Sequence, residues 1–160
     1  MKTVKRVVSF LKENDLTLVT AESCTAGQIL ALLGKVEGCG KCLEAGFVVY
    51  SSKAKKSLLG VKQETIDKYT LTSEEIAREM ASGALKNSSA NAVIATTGII
   101  GDEPMDGIPP GTVCFAWGFK KKGKLQLVSE TKRFDGTRSE VQIKAAKYAL
   151  FAFPTLYEEC

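Results

Sequence analysis

Two polar clusters at the ends of apolar runs carry the residues able to do chemistry. The first is Thr20-Ala21-Glu22-Ser23-Cys24-Thr25-Ala26-Gly27, which follows an apolar run over 16–19 and precedes a helical pattern over 28–33. The second is Tyr50-Ser51-Ser52-Lys53-Ala54-Lys55, which follows an apolar run over 45–49. A serine hydroxyl and a lysine amine make a nucleophile and base without histidine. The chain contains no histidine at all, so a Ser–His–Asp mechanism is excluded. Lys53 or Lys55 acts as base only if its pKa falls, and the neighbouring cations, Lys56 included, push in that direction. The first amides of a helix lack intrahelical partners and suit an oxyanion or phosphate, and Gly27 permits close approach to the backbone. The ordinary alternative is that Ser23 or Thr25 caps a helix while the lysines stay solvated. Cys24 is a rival nucleophile, although a small cysteine in such a place is more often core.

These clusters need elements to bring them together. The pattern predicts a helix near 4–14, a strand over 16–20, a helix over 23–35, a Gly-rich link over 36–42 and a strand over 43–50. Short helices follow at 53–59 and 63–69. A capping start at Thr72-Ser73-Glu74-Glu75 opens a helix to about residue 86. Residues 90–96 read as a buried strand. A Gly- and Pro-rich loop spans 98–110, long enough to suggest function. A hairpin over 111–134 turns at a lysine-rich tip, and a last helix starts at Gly136-Thr137-Arg138. Strands alternate with helices early and pair antiparallel late. The expected fold is α/β, a three-layer α/β/α sandwich with a mixed, mostly parallel sheet, in a single domain over 1–160. Parallel strands deliver their C-terminal ends to one edge of the sheet, where open α/β folds bind ligands, so Ser23 and a lysine could meet there.

Composition narrows the classes. The chain has 160 residues, 44% hydrophobic and 25% charged, as expected of one soluble domain with a sizeable core. A net charge of +4, with both signs dispersed, does not argue for nucleic acid. No run approaches the roughly 20 apolar residues of a membrane span, and the N-terminus lacks an apolar signal core. A cytoplasmic protein without membrane partners is expected. Five cysteines without an export signal suggest reduced thiols. Cys39-Gly40-Lys41-Cys42 is formally a CxxC, but with no histidine and no second pair it lacks the ligands of a structural zinc site. No dinucleotide or P-loop glycine pattern is present. Neither metal nor cofactor is expected.

Four ordered segments resemble one family. Residues 21–27 resemble an AESCTGG signature. Tyr50 to Lys55 with Leu58-Leu59-Gly60-Val61 resembles YSNEAK…LLGV. Thr97-Gly98-Ile99-Ile100-Gly101 with Pro110-Gly111-Thr112-Val113 resembles TGIAGP…PVGTV, and residues 134–138 resemble an F-x-G-x-R helix start. The family is the C-terminal domain of the competence-damage-inducible protein CinA, whose stand-alone enzyme form is a nicotinamide-nucleotide amidase. The resemblance implies an amidohydrolase that converts nicotinamide mononucleotide to nicotinate mononucleotide and ammonia. It implies Ser23 as nucleophile, Lys55 rather than Lys53 as base, and Tyr50 beside them. It places Thr25, Gly27, Thr97, Gly98 and Arg138 around the substrate, with Arg138 on the phosphate. It also implies a homo-oligomer. The chain departs from the pattern at Ala26, at Ser52-Lys53, at the acidic residues Asp102, Glu103 and Asp106, and at Gln142, where an arginine is frequent. Those departures keep two competing readings open: a nucleotide-binding or competence- or repair-associated module, and a hydrolase of another small amide.

Overall fold

The structure, a computed structural model, describes residues 3–160. Its elements in chain order are α1 (Val4–Glu13), β1 (Leu18–Glu22), α2 (Gln28–Gly34), β2 (Leu43–Val48), α3 (Ser52–Leu59), α4 (Gln63–Tyr69), α5 (Glu74–Lys86), β3 (Ala92–Gly98), β4 (Thr112–Lys121), β5 (Lys124–Arg133) and α6 (Arg138–Glu159). A 3₁₀ turn over Cys39–Lys41 leads into β2. The five strands form one sheet in the order β2-β1-β3-β4-β5. β1 pairs parallel with β2 and β3, while β4 pairs antiparallel with β3 and β5. Four strands therefore run one way and only β4 runs against them. The hairpin between β4 and β5 turns at Lys122 and Gly123, both at positive φ (52° and 76°), as a tight turn matched to strand twist requires.

Alternation along the strands splits the core in two. Leu18, Ala92, Ile94, Phe115, Trp117 and Phe119 face α1, α2 and α6. Val19, Ala21, Val93, Ala95 and Ala116 face α3 and α5. The first layer is aromatic. Trp117 stacks on Phe115 with centroids 5.5 Å apart, and its indole N–H donates to the Ala149 carbonyl at 2.8 Å, fixing α6 on the sheet. Each such wholly buried ring stabilises the fold by about 1.5–3 kcal/mol. The three-layer arrangement is the one the alternation of strands and helices predicts.

Two of the boundaries that differ from the sequence reading matter for the site. β1 runs on to Glu22 because Leu18 to Glu22 stay in parallel register with Ala92 to Thr96. α2 begins at Gln28 rather than Ser23, because Ala26 (φ 47°) and Gly27 (φ 92°) adopt left-handed conformations that no right-handed helix continues through. Residues 23–27 thus form a tight turn between strand end and helix start.

Candidate active site

The turn that carries Ser23 hangs from the end of β1. The Ser23 amide donates to the Thr96 carbonyl at 3.1 Å, continuing the sheet by one bond. Ser23 and Cys24 are then held at the C-terminal edge, with Ser23 only 7% exposed. The end of β2 supplies the opposite side. Val49 donates its amide to the Glu22 carbonyl at 2.9 Å, and the chain turns through Tyr50 into α3. Ser51 caps that helix, its hydroxyl accepting from the Ala54 amide at 3.0 Å. Lys55 and Leu59, one turn apart, form the buried face of α3.

Lys55 is 2% exposed and its amine makes three contacts. Nζ lies 2.9 Å from Ser23 Oγ, 2.9 Å from the Val49 carbonyl oxygen and 3.0 Å from the Tyr50 carbonyl oxygen. Burial pulls its pKa down from 10.5 to about 8. In the neutral amine, two N–H groups satisfy the two carbonyls, which act only as acceptors. The lone pair then has one remaining direction, toward the Ser23 hydroxyl. After taking that proton, the ammonium keeps all three contacts as donor.

Cys24 does not compete. It is 2% exposed, and burial pushes its pKa up from 9.0 to about 12, with the Thr96 hydroxyl opposing. It therefore stays a thiol, and the thiolate is the reactive form. All five cysteines are free. Among the described residues no cluster of three or more His, Cys, Asp or Glu side chains is arranged to hold a metal. No helix among them is long and apolar enough to cross a membrane.

Ser23 and Lys55 open into a cleft of about 360 Å³. Tyr50, Thr97, Gly98 and Arg138 line it too, so six of the eight residues that the resemblance placed in the site share one cavity. Thr97 donates its hydroxyl to the Leu71 carbonyl at 3.0 Å, which ties the segment before α5 across the cleft as its far wall. Gly98 has no room for a side chain, since a Cβ there would sit 2.6 Å from the Thr112 carbonyl oxygen. At the mouth, Arg138 Nη2 donates to the Tyr50 hydroxyl at 3.0 Å, joining the start of α6 to the end of β2. Gly101 lets that guanidinium lie close over the loop, as its Cβ would come within 3.3 Å of Arg138 Nη1.

Thr25 and Gly27 are not in the lining. Thr25 is fully buried, with its hydroxyl bonded to Glu22 and Thr96, and Gly27 is the left-handed residue before α2. Of the acidic loop, Asp102 and Glu103 line the cleft and Asp106 does not. Gln142 donates from Nε2 to the Cys24 carbonyl at 3.1 Å, so it braces the Ser23 turn from α6. Sequence reasoning gave no site role to Glu22, Leu71, Thr72, Ile99, Ile100 or Met105. Only Glu22 carried a signal, as a lone carboxylate at the end of an otherwise uncharged run. A larger open depression of about 500 Å³ lies between α1 and α6, but among the described residues no lysine or cysteine lines it.

Fold and site together define a three-layer α/β/α protein with a histidine-free serine–lysine pair in a cleft at the sheet edge. The sequence profile of the CinA C-terminal domain matches residues 1–156, and the chain belongs to that family. It is 37% identical over 153 residues to protein YdeJ of Escherichia coli, covering 92% of this chain and 87% of that protein. It is 35% identical over 151 residues to the nicotinamide-nucleotide amidohydrolase PncC of Escherichia coli, covering 94% and 90%. A CinA-like protein of Chlorobium phaeobacteroides is 38% identical over 146 residues, but the match spans only 35% of its length. Among solved structures, a CinA superfamily protein from Klebsiella pneumoniae superposes with a TM-score of 0.92 at 34% identity, covering 98% of this chain and 96% of that one.

Proposed function

We propose that this chain is an amidohydrolase that deamidates nicotinamide mononucleotide to nicotinate mononucleotide and ammonia. The observation that carries the reading is the 2.9 Å contact between Lys55 Nζ and Ser23 Oγ inside the cleft. The relationship to PncC at 35% identity, over most of both chains, supports nicotinamide mononucleotide as the substrate.

In the proposed reaction Ser23 Oγ attacks the carboxamide carbon while Lys55 takes its proton. The oxyanion forms beside the nucleophile turn. The Ala26 amide there already donates to the Ser23 carbonyl, and the Ile29 and Leu30 amides to Glu22. The Cys24 amide, on a residue that lines the cleft, has no backbone acceptor among the described residues, and it is the donor assigned to the oxyanion. Collapse of the tetrahedral intermediate breaks the C–N bond. The departing nitrogen receives the proton held by Lys55, relayed through or oriented by Tyr50, and leaves as ammonia. Water then attacks the Ser23 ester, with Lys55 again as base, releasing the carboxylate and restoring the hydroxyl. Leu71, Ile99, Ile100 and Met105 supply apolar wall for a flat ring, and Arg138 supplies a fork for the phosphate. No metal or cofactor takes part in this scheme.

The test is product formation. Purified protein incubated with nicotinamide mononucleotide is expected to yield nicotinate mononucleotide, measured by liquid chromatography and mass spectrometry. A yield no higher than that of Ser23→Ala would end the proposal. A second reading, hydrolysis of a small amide without a phosphate, is favoured by the Asp102 and Glu103 side chains in the cleft wall. Faster Ser23-dependent turnover of an unphosphorylated amide would select it.

A further inference from the structure

We infer that Glu22 is a positioning residue for the nucleophile: its carboxylate locks the Ser23 turn against Lys55 and fills the anion position at the start of α2. The inference rests on the serine–lysine reading above and extends it to a residue with no place in the cleft. Glu22 is fully buried at the end of β1. A buried carboxylate persists only where donors satisfy it. Here Oε1 accepts from the Thr25 hydroxyl at 2.6 Å and from the Ile29 amide at 3.0 Å, and Oε2 accepts from the Leu30 amide at 3.1 Å.

The direction of the remaining bonds follows. Thr25 has one hydroxyl proton, and the carboxylate takes it, because an ionised carboxylate only accepts. The 2.8 Å contact between Thr25 and Thr96 is therefore donated by Thr96. Thr96 in turn accepts the Ser23 amide on its carbonyl. On the other side, the Glu22 carbonyl accepts from the Val49 amide, and the Val49 carbonyl accepts from Lys55. One residue thus reaches the nucleophile turn through its side chain and the base through its main chain.

Ordinary helix capping does not explain this arrangement. The residue before α2 is Gly27, which has no capping group. The carboxylate comes instead from the preceding strand and spans the turn that carries Ser23. A helix of only seven residues depends on such outside contacts to form at its first turn. Because the protein's own carboxylate holds the Ile29 and Leu30 amides, a substrate anion cannot use them. Anion recognition is left to Arg138 at the cleft mouth.

The experiment compares Thr25→Val, which deletes the hydroxyl at nearly constant volume, with Thr25→Ser and Glu22→Gln. Two readouts are used: the rate at which a fluorophosphonate labels Ser23, followed by intact mass, and kcat and KM on nicotinamide mononucleotide. Thr25→Val and Glu22→Gln are expected to slow labelling and lower kcat by about tenfold or more, with KM within about twofold. Thr25→Ser is expected to recover most of that loss. A folded Thr25→Val that labels at the wild-type rate, or loses only KM, overturns the inference. If Thr25→Val does not fold, Glu22→Gln is read on its own with the same two outcomes. Labelling of wild-type Ser23 without ammonia release would overturn the substrate proposal and leave this one standing. Wild-type protein that does not label at Ser23 would overturn both.

Discussion

Raising the pH from 7 to 9 is expected to increase kcat/KM on nicotinamide mononucleotide about tenfold. The cause is the protonation state of Lys55, whose burial brings its pKa from 10.5 down to about 8. Only the neutral amine accepts the Ser23 proton. With a midpoint at about 8, the neutral fraction is about 9% at pH 7, about half at pH 8 and about 91% at pH 9. A lysine at 10.5 would be only about 3% neutral at pH 9, and its rate would still be rising steeply there. The assay is ammonia release at subsaturating substrate across pH 6 to 10, with Ser23→Ala subtracted at each pH to remove alkaline hydrolysis. A flat profile, or one climbing without a plateau beyond pH 10, would refute the assignment of Lys55 as a base tuned by burial. The same shift has a thermodynamic side. Between about pH 8 and 10.5 the unfolded lysine still binds a proton that the folded one has lost, so the Lys55 contribution to stability rises with pH across that window and is lost on going back down. Denaturant melts of wild type against Lys55→Met isolate that term from other groups.

Gly98→Ala places a methyl group against the Thr112 carbonyl, 2.6 Å away, and is expected to cost about 1–3 kcal/mol in a urea melt; an unchanged midpoint would contradict the packing described. Ala26→Gly relieves a left-handed alanine at φ 47° and is expected to stabilise by about 0.5 kcal/mol after the added freedom of the unfolded chain. A loss of stability in the same melt would show that the methyl group packs usefully. Arg138→Ala is expected to raise KM for nicotinamide mononucleotide about tenfold or more while leaving turnover of an unphosphorylated amide little changed. Equal losses on both substrates would assign Arg138 to Tyr50 rather than to phosphate.

The layers and the principal pair were legible because their signals are local. Apolar runs marked the strands, and Ser23 and Lys55 each sit just beyond one, where a parallel sheet collects its strand ends. What stayed hidden depends on contacts between distant segments. A carboxylate at a strand end reads as surface, and only the donors from α2 and Thr25 show why Glu22 is buried. The far wall reaches the cleft through the Thr97–Leu71 bond, which no spacing announces. The helical pattern after Ser23 suggested an early helix start, but Ala26 and Gly27 turn left-handed first. Thr25, whose type suits ligand binding, points its hydroxyl into the interior.

The central claim is that the side chains of Ser23 and Lys55 together break a carboxamide. Steady-state ammonia release from nicotinamide mononucleotide by wild type, Ser23→Ala and Lys55→Met, at pH 9, tests it most directly. The account predicts turnover by the wild type, none above background without the hydroxyl, and a loss of about 10²-fold or more without the amine. Ammonia release by Lys55→Met at the wild-type rate, or none from the wild type, would contradict it.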